Sequence, residues 1–302
     1  MSVFNEFTWI HSLPQSSKPE LKLGIGDDAA IFQSSEDWAV STDSLIEGSH
    51  FTPSDKPFNI AKKLVNVNVS DMAAMGCRPK FFLLNLHLSP NWNEQQLNEF
   101  KDGLLETLKV WDIALIGGDT VTCKEGPTHL VGTILGQPYT KSAILRSGAK
   151  VDDDIYVTGA LGGSYPHRHL TFEPRLNWSK ELCLSCSPSS MMDVSDGLLQ
   201  DLGHILDESC VSAELELSSI PIHQDAQSKK EPLLNALSDG EDFELLFTLP
   251  ASQSKLLPKN IPFTKIGKII SGESVIFARK LKTDPLKVWP RLGFEHNHSS
   301  NS

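Results

Sequence analysis

The segment from residue 57 to residue 88, PFNIAKKLVNVNVSDMAAMGCRPKFFLLNLHL, contains a helical pattern followed directly by a strand-like one. Apolar residues recur at helical spacing from Ile60 to Met75, and Gly76 is a typical helix-ending residue. This spacing predicts a helix over residues 57–75. Residues 80–88 form a continuous apolar-rich run, which predicts a strand. A helix and a strand joined so closely are typical of an α/β fold.

Further segments of both kinds lie on either side of this pair. The polar stretch at residues 140–152 separates two such sets, so we expect two domains, residues 1–140 and 141–302. Residues 165–188 lack a regular pattern and are expected to form a loop. The fold class is therefore α/β, in the mixed α+β sense. The other predicted elements are strands at 29–32, 38–42, 113–116, 130–135, 155–158, 243–249 and 263–270, with the strands at 113–116 and 130–135 buried, and helices at 93–111 and 196–208.

Composition excludes several classes of protein. The 302 residues carry 27 Lys and Arg against 38 Asp and Glu, a formal net charge of −11. Such an acidic chain is a poor candidate for sequence-independent nucleic-acid binding, which needs a basic surface. No stretch approaches the length of a membrane span, and the first residues do not resemble a signal peptide. Five scattered cysteines favour a reducing compartment, so we expect a cytoplasmic protein.

Several aspartates stand beside Gly, Ser or Thr at the predicted strand ends rather than on helix faces. Carboxylates and hydroxyls on adaptable backbone are the ligands that Mg²⁺ prefers. Each fragment alone is also ordinary turn chemistry, and Ser195 could be the N-cap of the following helix. The aspartates in question are Asp27, Asp28, Asp43, Asp119, Asp193 and Asp196, joined by Asp71 from the predicted helix.

Clustered carboxylates repel one another unless cations bind between them, and bound cations in turn permit a polyanion to bind. A nucleoside triphosphate bridged by several Mg²⁺ ions is the natural candidate. Neither the P-loop pattern nor G-x-G-x-x-G occurs in the chain. We therefore expect ATP to be bound mainly through metal ions rather than in a glycine-rich cradle.

These fragments, taken in order, resemble the thiamine-monophosphate kinase family, within the superfamily of aminoimidazole-ribonucleotide synthetase and selenophosphate synthetase. The resemblance implies an N-terminal α/β domain that pairs with its copy in a homodimer, and a C-terminal α/β domain covering an ATP cleft. The matching stretches are GIGDDAA at 24–30, STDSLIEGSHF at 41–51, NVNVSDMAAMG at 66–76, GGDT at 117–120, DVSDGLLQDLGH at 193–204, GEDFELL at 240–246 and IGKI at 266–269.

The resemblance also implies Mg-dependent transfer of the γ-phosphate of ATP to thiamine monophosphate, the last step of thiamine diphosphate synthesis. The implied magnesium ligands are Asp27, Ser41, Thr42, Asp43, Asp71, Asp119, Asp193 and Asp196. The implied ATP contacts are Gly118, Asp119, Arg146 and Ser195, and the implied substrate contacts are His50, Glu241 and Phe294.

The expected reaction requires no catalytic side chain acting as a base, because the attacking phosphate oxygen is largely ionised at neutral pH. Two alternatives stay open: another ATP-dependent enzyme of the same superfamily, or a nucleotide–Mg²⁺ binding protein without turnover. Selenophosphate synthesis is disfavoured because no cysteine precedes Cys77. His167 and His169 are expected to be a polar surface pair.

Overall fold

The computed structural model describes residues 21–23, 28–33, 37–280 and 287–293. Two residues of the predicted site, Asp27 and Phe294, lie outside these ranges.

The described residues of the first half form one sheet and two helices. The strands are β1 (Leu21–Leu23), β2 (Ala30–Gln33), β3 (Asp37–Ile46), β4 (Cys77–Leu88), β5 (Ala114–Thr122) and β6 (His129–Pro138). The helices are α1 (Pro57–Ala74) and α2 (Glu94–Val110). The six strands have the order β1-β2-β3-β6-β4-β5 in the sheet. Most neighbouring strands are antiparallel, while β4 and β5 are parallel.

The second half forms a seven-stranded sheet. Its strands are β7 (Asp153–Thr158), β8 (Ser190–Asp193), β9 (Ser212–Glu216), β10 (Leu245–Pro250), β11 (Phe263–Ile270), β12 (Ile276–Arg279) and β13 (Lys287–Trp289). Their order in the sheet is β13-β12-β9-β11-β7-β10-β8. Its helices are α3 (Leu176–Ser185), α4 (Leu198–Ser209), α5 (Gln224–Gln227) and α6 (Pro232–Ser238), and short 3-10 turns lie at Arg168–Leu170, Leu217–Ser219 and Ala251–Leu256.

Helix α1 is buried on almost all sides because it packs against both halves of the protein. It contacts strands β3, β4 and β6 and helix α2 in the first half, and α3 and β8 in the second. Its apolar residues, such as Leu64 and Val65, have no exposed surface. Polar residues of α1 are buried too, among them Lys63, Asn66 and Ser70. A polar group without water needs a hydrogen-bond partner, so these side chains are held in defined positions.

Most predicted elements are confirmed. The helix predicted over 57–75 is α1, the helix predicted over 93–111 is α2, and every predicted strand is present with bounds shifted by a few residues. The two sheets lie on either side of residues 139–152, and the domain boundary near residue 140 stays a prediction. Among the described residues, no helix is long and apolar enough to cross a membrane.

Three expectations about local structure are wrong. Residues 165–188 are not all loop, because α3 forms there and buries Leu176 and Leu182. Ser195 is not an N-cap, because the helix predicted over 196–208 is α4, which begins at Leu198 after Gly197 in a left-handed conformation. The strand predicted at 113–116 is not buried: β5 is an outer strand of the sheet, and all nine of its residues are exposed.

Candidate active site

Carboxylates from distant parts of the chain converge beside helix α1. Asp71 lies near the end of α1, Asp193 is the last residue of β8, and Asp28 precedes β2. One carboxylate oxygen from each of these three residues lies within 4.8 Å of the others. Asp43, on β3, lies close enough to Asp71 for the two carboxyl groups to influence each other's pKa, and both line one cavity. The structure thus brings together Asp43, Asp71 and Asp193 from the predicted ligand set, and adds Asp28. We call these four residues the carboxylate cluster.

Burial and mutual repulsion raise the pKa values in the carboxylate cluster. Burial raises the pKa of Asp71 well above its ordinary value, and the neighbouring carboxylates raise it further. Burial, and then the charge of Asp28, raises the pKa of Asp193 to about 7, although a hydrogen bond from Ser70 acts against this. The pKa of Asp43 is raised chiefly by burial. These groups therefore hold protons to unusually high pH unless a cation joins them.

Two serine hydroxyls contact the cluster, and a neighbouring threonine does not. Ser41 on β3 donates a hydrogen bond to Asp71, and Ser70 on α1 donates to Asp193 Oδ2 over 2.5 Å. Thr42 alternates to the other face of the strand, where its hydroxyl donates to a backbone carbonyl of β6 over 2.8 Å. Of the two predicted hydroxyl ligands, the structure thus brings only Ser41 to the carboxylates.

Arg146 supplies a positive charge at the edge of the cluster. Its guanidinium binds Asp28 with two hydrogen bonds, Nη2 to Oδ1 at 2.6 Å and Nε to Oδ2 at 3.1 Å. One positive charge does not balance four carboxylates that lie side by side. Clustered carboxylate and hydroxyl oxygens are hard ligands, so this donor set fits one or more divalent cations such as Mg²⁺.

Gly118 and Asp119 lie on the outer strand β5, away from the cluster. In the sheet β5 stands three strand positions from β3, about 14 Å at the usual strand spacing. Asp119 is exposed and accepts a hydrogen bond from the backbone N–H of Thr120. Gly118 pairs so closely with β4 that a Cβ atom would lie 1.8 Å from the Leu84 carbonyl oxygen, which explains the glycine there. Within one chain, neither residue is near Asp71.

The turn between β8 and α4 brings Ser195 and Asp196 to the same cavity as the cluster. A buried carboxylate below the turn holds it in shape, because Asp201 Oδ2 accepts hydrogen bonds from the backbone N–H groups of Asp196 and Gly197, each at 3.1 Å. Burial, together with the charge of Asp196, raises the pKa of Asp201 well above its ordinary value. Asp201 therefore acts as a support for the turn.

A cavity of about 470 Å³ joins the cluster to a second group of predicted residues. At its walls stand Asp43, Asp71, Asp193, Ser195, Asp196, His50 and Glu241, together with Tyr165 and Phe243. A larger cavity of about 590 Å³ is lined by none of the predicted site residues. Among the described residues, the predicted metal ligands and substrate contacts thus share one cavity, apart from Ser41, Thr42 and Asp119.

Glu241 belongs to a segment in which three acidic side chains have different partners. Its two acidic neighbours bind arginines: Asp242 pairs with Arg168, and Glu244 with Arg175. Glu241 itself has a left-handed backbone, with φ of 52°, and its side chain lines the cavity. Each of the three carboxylates thus has a specific partner, and that of Glu241 is the buried Lys63.

Four residues at the site were not among the implied ligands and contacts: Asp28, Lys63, Ser70 and His169. Asp28 was a candidate carboxylate of the GIGDDAA stretch, although the resemblance implied only Asp27 as a ligand. Lys63 and Ser70 are buried on a helix whose pattern predicted only packing. His169 was expected at the surface but is 3% exposed, because its ring contacts Lys63. Partners more than a hundred residues apart leave no signal in local sequence.

Comparisons with known proteins point to one kinase family. Residues 26–137 match the family model described as AIR synthase related protein, N-terminal domain. The thiamine-monophosphate kinase of Rhodopirellula baltica is 35% identical, and the match covers 93% of each chain. The thiamine-monophosphate kinase of Escherichia coli is 37% identical, over 88% of this chain and 90% of that protein.

A solved structure described as AaThiL complexed with AMPPCP and TMP has a similar fold. The two chains superpose with a TM-score of 0.82 at 27% sequence identity, and the match covers 97% of each. Similarity over nearly the whole length includes both sheets, so the arrangement of the two halves is shared as well as the fold of each.

Proposed function

The chain belongs to the thiamine-monophosphate kinase family, and we propose that it transfers the γ-phosphate of ATP to thiamine monophosphate, giving thiamine diphosphate and ADP. The observation that carries this proposal is the shared cavity. One part of it bears the clustered carboxylates, and another bears His50, Tyr165 and Glu241. A substrate with a phosphate at one end and a cationic ring system at the other suits such a cavity.

The chemistry needs positioning and charge neutralisation more than it needs a base. A phosphate monoester is largely ionised at neutral pH, so its oxygen attacks without prior proton removal. The barrier is the approach of two anionic phosphate groups in line. Mg²⁺ held by Asp43, Asp71 and Asp193 would neutralise the charge on the transferring phosphoryl group.

The protein's own groups prepare this environment. Ser41 and Ser70 orient the carboxylates of Asp71 and Asp193 through hydrogen bonds, so the cluster is formed before ligands bind. Arg146 can exchange its contact with Asp28 for the phosphates of ATP, since a guanidinium binds a phosphate with two parallel hydrogen bonds. Ser195 and Asp196 stand on the same cavity wall and complete the proposed ATP and metal contacts.

A direct assay tests the proposed function. The purified protein is incubated with ATP and Mg²⁺, and the release of ADP is followed with thiamine monophosphate, with thiamine, or with formylglycinamidine ribonucleotide as the second substrate. We expect ADP release and thiamine diphosphate only with thiamine monophosphate. Activity with another acceptor would favour a different reaction of the superfamily, and no activity with any of them would favour a binding protein without turnover.

The raised carboxyl pKa values lead to an expected pH dependence of stability. The pKa of Asp193 is about 7 in the folded state against an ordinary 3.8, so the folded state binds more protons between these values. Without Mg²⁺, the free energy of unfolding contributed by this group is expected to fall as pH rises from about 4 to about 7.

Added Mg²⁺ should offset that loss, because it binds the ionised carboxylates of the folded state. Thermal melts with and without MgCl₂ would show a larger rise in Tm at about pH 8 than at about pH 5. MgCl₂ at equal ionic strength to a NaCl control separates specific binding from screening. An equal rise in Tm at both pH values would contradict the assignment of the carboxylate cluster as a cation site.

We further propose that the protein is a cytoplasmic homodimer that pairs through the first sheet. All nine residues of β5 are exposed, and the strand lies at the edge of the sheet. Its apolar side chains are well exposed, with Leu115 at 41%, Ile116 at 53% and Val121 at 42%. Long apolar edge strands are usually covered, since open ones lead to aggregation.

A charge on this strand is expected to separate the dimer. Ile116→Asp would put a carboxylate in the middle of the proposed interface, and light scattering on a sizing column should then show a monomer. Val110→Asp is the matched control, because Val110 is 68% exposed at the end of α2 and lies outside the strand. A monomeric unaltered protein, or an Ile116→Asp variant that stays dimeric, would contradict the proposed interface.

A further inference from the structure

Lys63 is a lysine with no exposed surface, on the central helix α1. Its ammonium group has three N–H donors and three acceptors around it. Nζ lies 2.9 Å from the backbone oxygen of His50, 3.0 Å from Nδ1 of His169 and 2.5 Å from Oε1 of Glu241. Burial lowers the pKa of Lys63, and the charge of Glu241 acts in the opposite direction. A fully bonded ammonium beside a carboxylate is the arrangement in which a buried lysine keeps its charge.

The geometry also determines which nitrogen of His169 carries the proton. Nε2 lies 3.0 Å from the backbone oxygen of Pro166, which is only an acceptor, so Nε2 is the donor. In the neutral ring Nδ1 is then an acceptor, and it accepts from Lys63 over 3.0 Å. The histidine is therefore a support for the lysine, and its ring is itself held by the backbone of the 165–170 segment.

These contacts connect the two halves of the chain beside the cavity. His50 follows β3 in the first half, whereas Glu241 and His169 belong to the second half. His50 and Glu241 line the cavity, and the side chain of Glu241 is 31% exposed. Burial alone would raise the pKa of Glu241, but its pKa is lowered, and the charge and hydrogen bond of Lys63 act in that direction. Lys63 thus keeps Glu241 ionised and aimed at the cavity.

The position of Lys63 along α1 indicates which part of the substrate this group serves. Lys63 and Asp71 are eight residues apart on the same helix, about 12 Å along its axis. A phosphate at the carboxylate cluster therefore leaves the rest of a substrate near Glu241 and Tyr165. A carboxylate and an exposed aromatic ring are groups that bind an amino-substituted, cationic heterocycle.

We propose that Lys63 is a positioning residue for the ring end of the substrate. Its ammonium holds the carboxylate of Glu241 and the backbone of His50 where they contact the cationic heterocycle, and His169 supports the lysine. This inference rests on the proposed function, since the heterocycle in question is that of thiamine monophosphate.

Steady-state kinetics of Lys63→Met test the proposal. Methionine is of similar length but lacks the charge and the three donors, so Glu241 loses its orienting partner. We expect KM for thiamine monophosphate to rise by about tenfold or more, because hydrogen bonds to charged groups are strong, while KM for ATP changes less than about twofold. Lys62→Met is the matched control: Lys62 is the adjacent residue, is partly exposed and stands outside the cavity.

Two further variants keep the test decisive. Glu241→Gln should also raise KM for thiamine monophosphate, and the double variant Lys63→Met/Glu241→Gln should be no worse than the poorer single one, because both act through one contact. If Lys63→Met does not fold, His169→Leu removes one acceptor from the same group. It should then raise KM for thiamine monophosphate without a comparable change for ATP.

The possible failures are distinguishable. An unaltered protein that does not phosphorylate thiamine monophosphate would overturn the proposed function. An active unaltered protein, with a folded Lys63→Met variant whose KM for thiamine monophosphate is unchanged, would overturn only this inference. Equal changes in KM for both substrates, or strictly additive effects in the double variant, would show a general structural role and would overturn it as well.

Discussion

Asp71→Asn is expected to lower kcat by about 1000-fold or more while the protein stays folded. Asp71 lies at the centre of the cluster: it accepts a hydrogen bond from Ser41, its carboxylate lies within 4.8 Å of those of Asp28 and Asp193, and its charge acts on Asp43. Asparagine keeps the shape but removes the charge that a divalent cation requires. Because the carboxylates repel one another, removing one charge should not destabilise the metal-free protein.

The measurement is the initial rate at saturating ATP and thiamine monophosphate over a range of Mg²⁺ concentrations, with Tm recorded in parallel. Asp102→Asn is the matched control, since Asp102 is exposed on α2 and far from the cavity residues. Near-normal turnover of Asp71→Asn at saturating Mg²⁺ would contradict the role of the cluster. A large loss of Tm without Mg²⁺ would show instead that Asp71 supports the fold.

Arg146→Met is expected to lower kcat by about 100-fold, with a rise in KM for ATP. The guanidinium of Arg146 faces the carboxylate cluster. Its two hydrogen bonds to Asp28 show that it presents a planar pair of N–H donors there. Arg146→Lys should recover only part of the loss, because an ammonium cannot form the paired contact. Loss of the positive charge also leaves the carboxylates more repulsive toward ATP.

Arg279→Met is the matched control for Arg146. Arg279 likewise pairs with a carboxylate, Nη2 to Glu214 Oε1 at 2.5 Å, but it lies on β12 near the far edge of the second sheet. Its replacement should leave kcat and both KM values unchanged. Wild-type kinetics in Arg146→Met would remove Arg146 from the proposed ATP contacts.

The sequence predicted the elements of the fold wherever the apolar pattern was long and regular. Helix α1 ends within one residue of its predicted bound, because apolar spacing over five turns is a strong signal. Helix α3 was missed because it is only ten residues long and buries few apolar side chains. The exposure of β5 was wrong for a different reason: apolar runs at a sheet edge and in its centre look alike until the strand order is known.

For the site, the predicted aspartates fall into two groups. Asp43, Asp71 and Asp193 meet, and Asp196 lines the same cavity, while Asp119 lies on β5. The separation follows from strand order, which spacing along the chain does not reveal. The role of Asp119 as a metal ligand and ATP contact stays a prediction.

The sequence by itself determined the alternation of helices and strands and the oxygen-rich turns that resemble one kinase family. These depend on residues within a few positions of one another, so local spacing carries the information. Only the tertiary structure decided which carboxylates share one site, that the pKa of Asp193 rises to about 7, and that Lys63 meets Glu241. Lys63 and Glu241 are 178 residues apart. The pKa of a buried group and its hydrogen-bond partners depend on what the fold packs around it, and that is set only when distant segments meet.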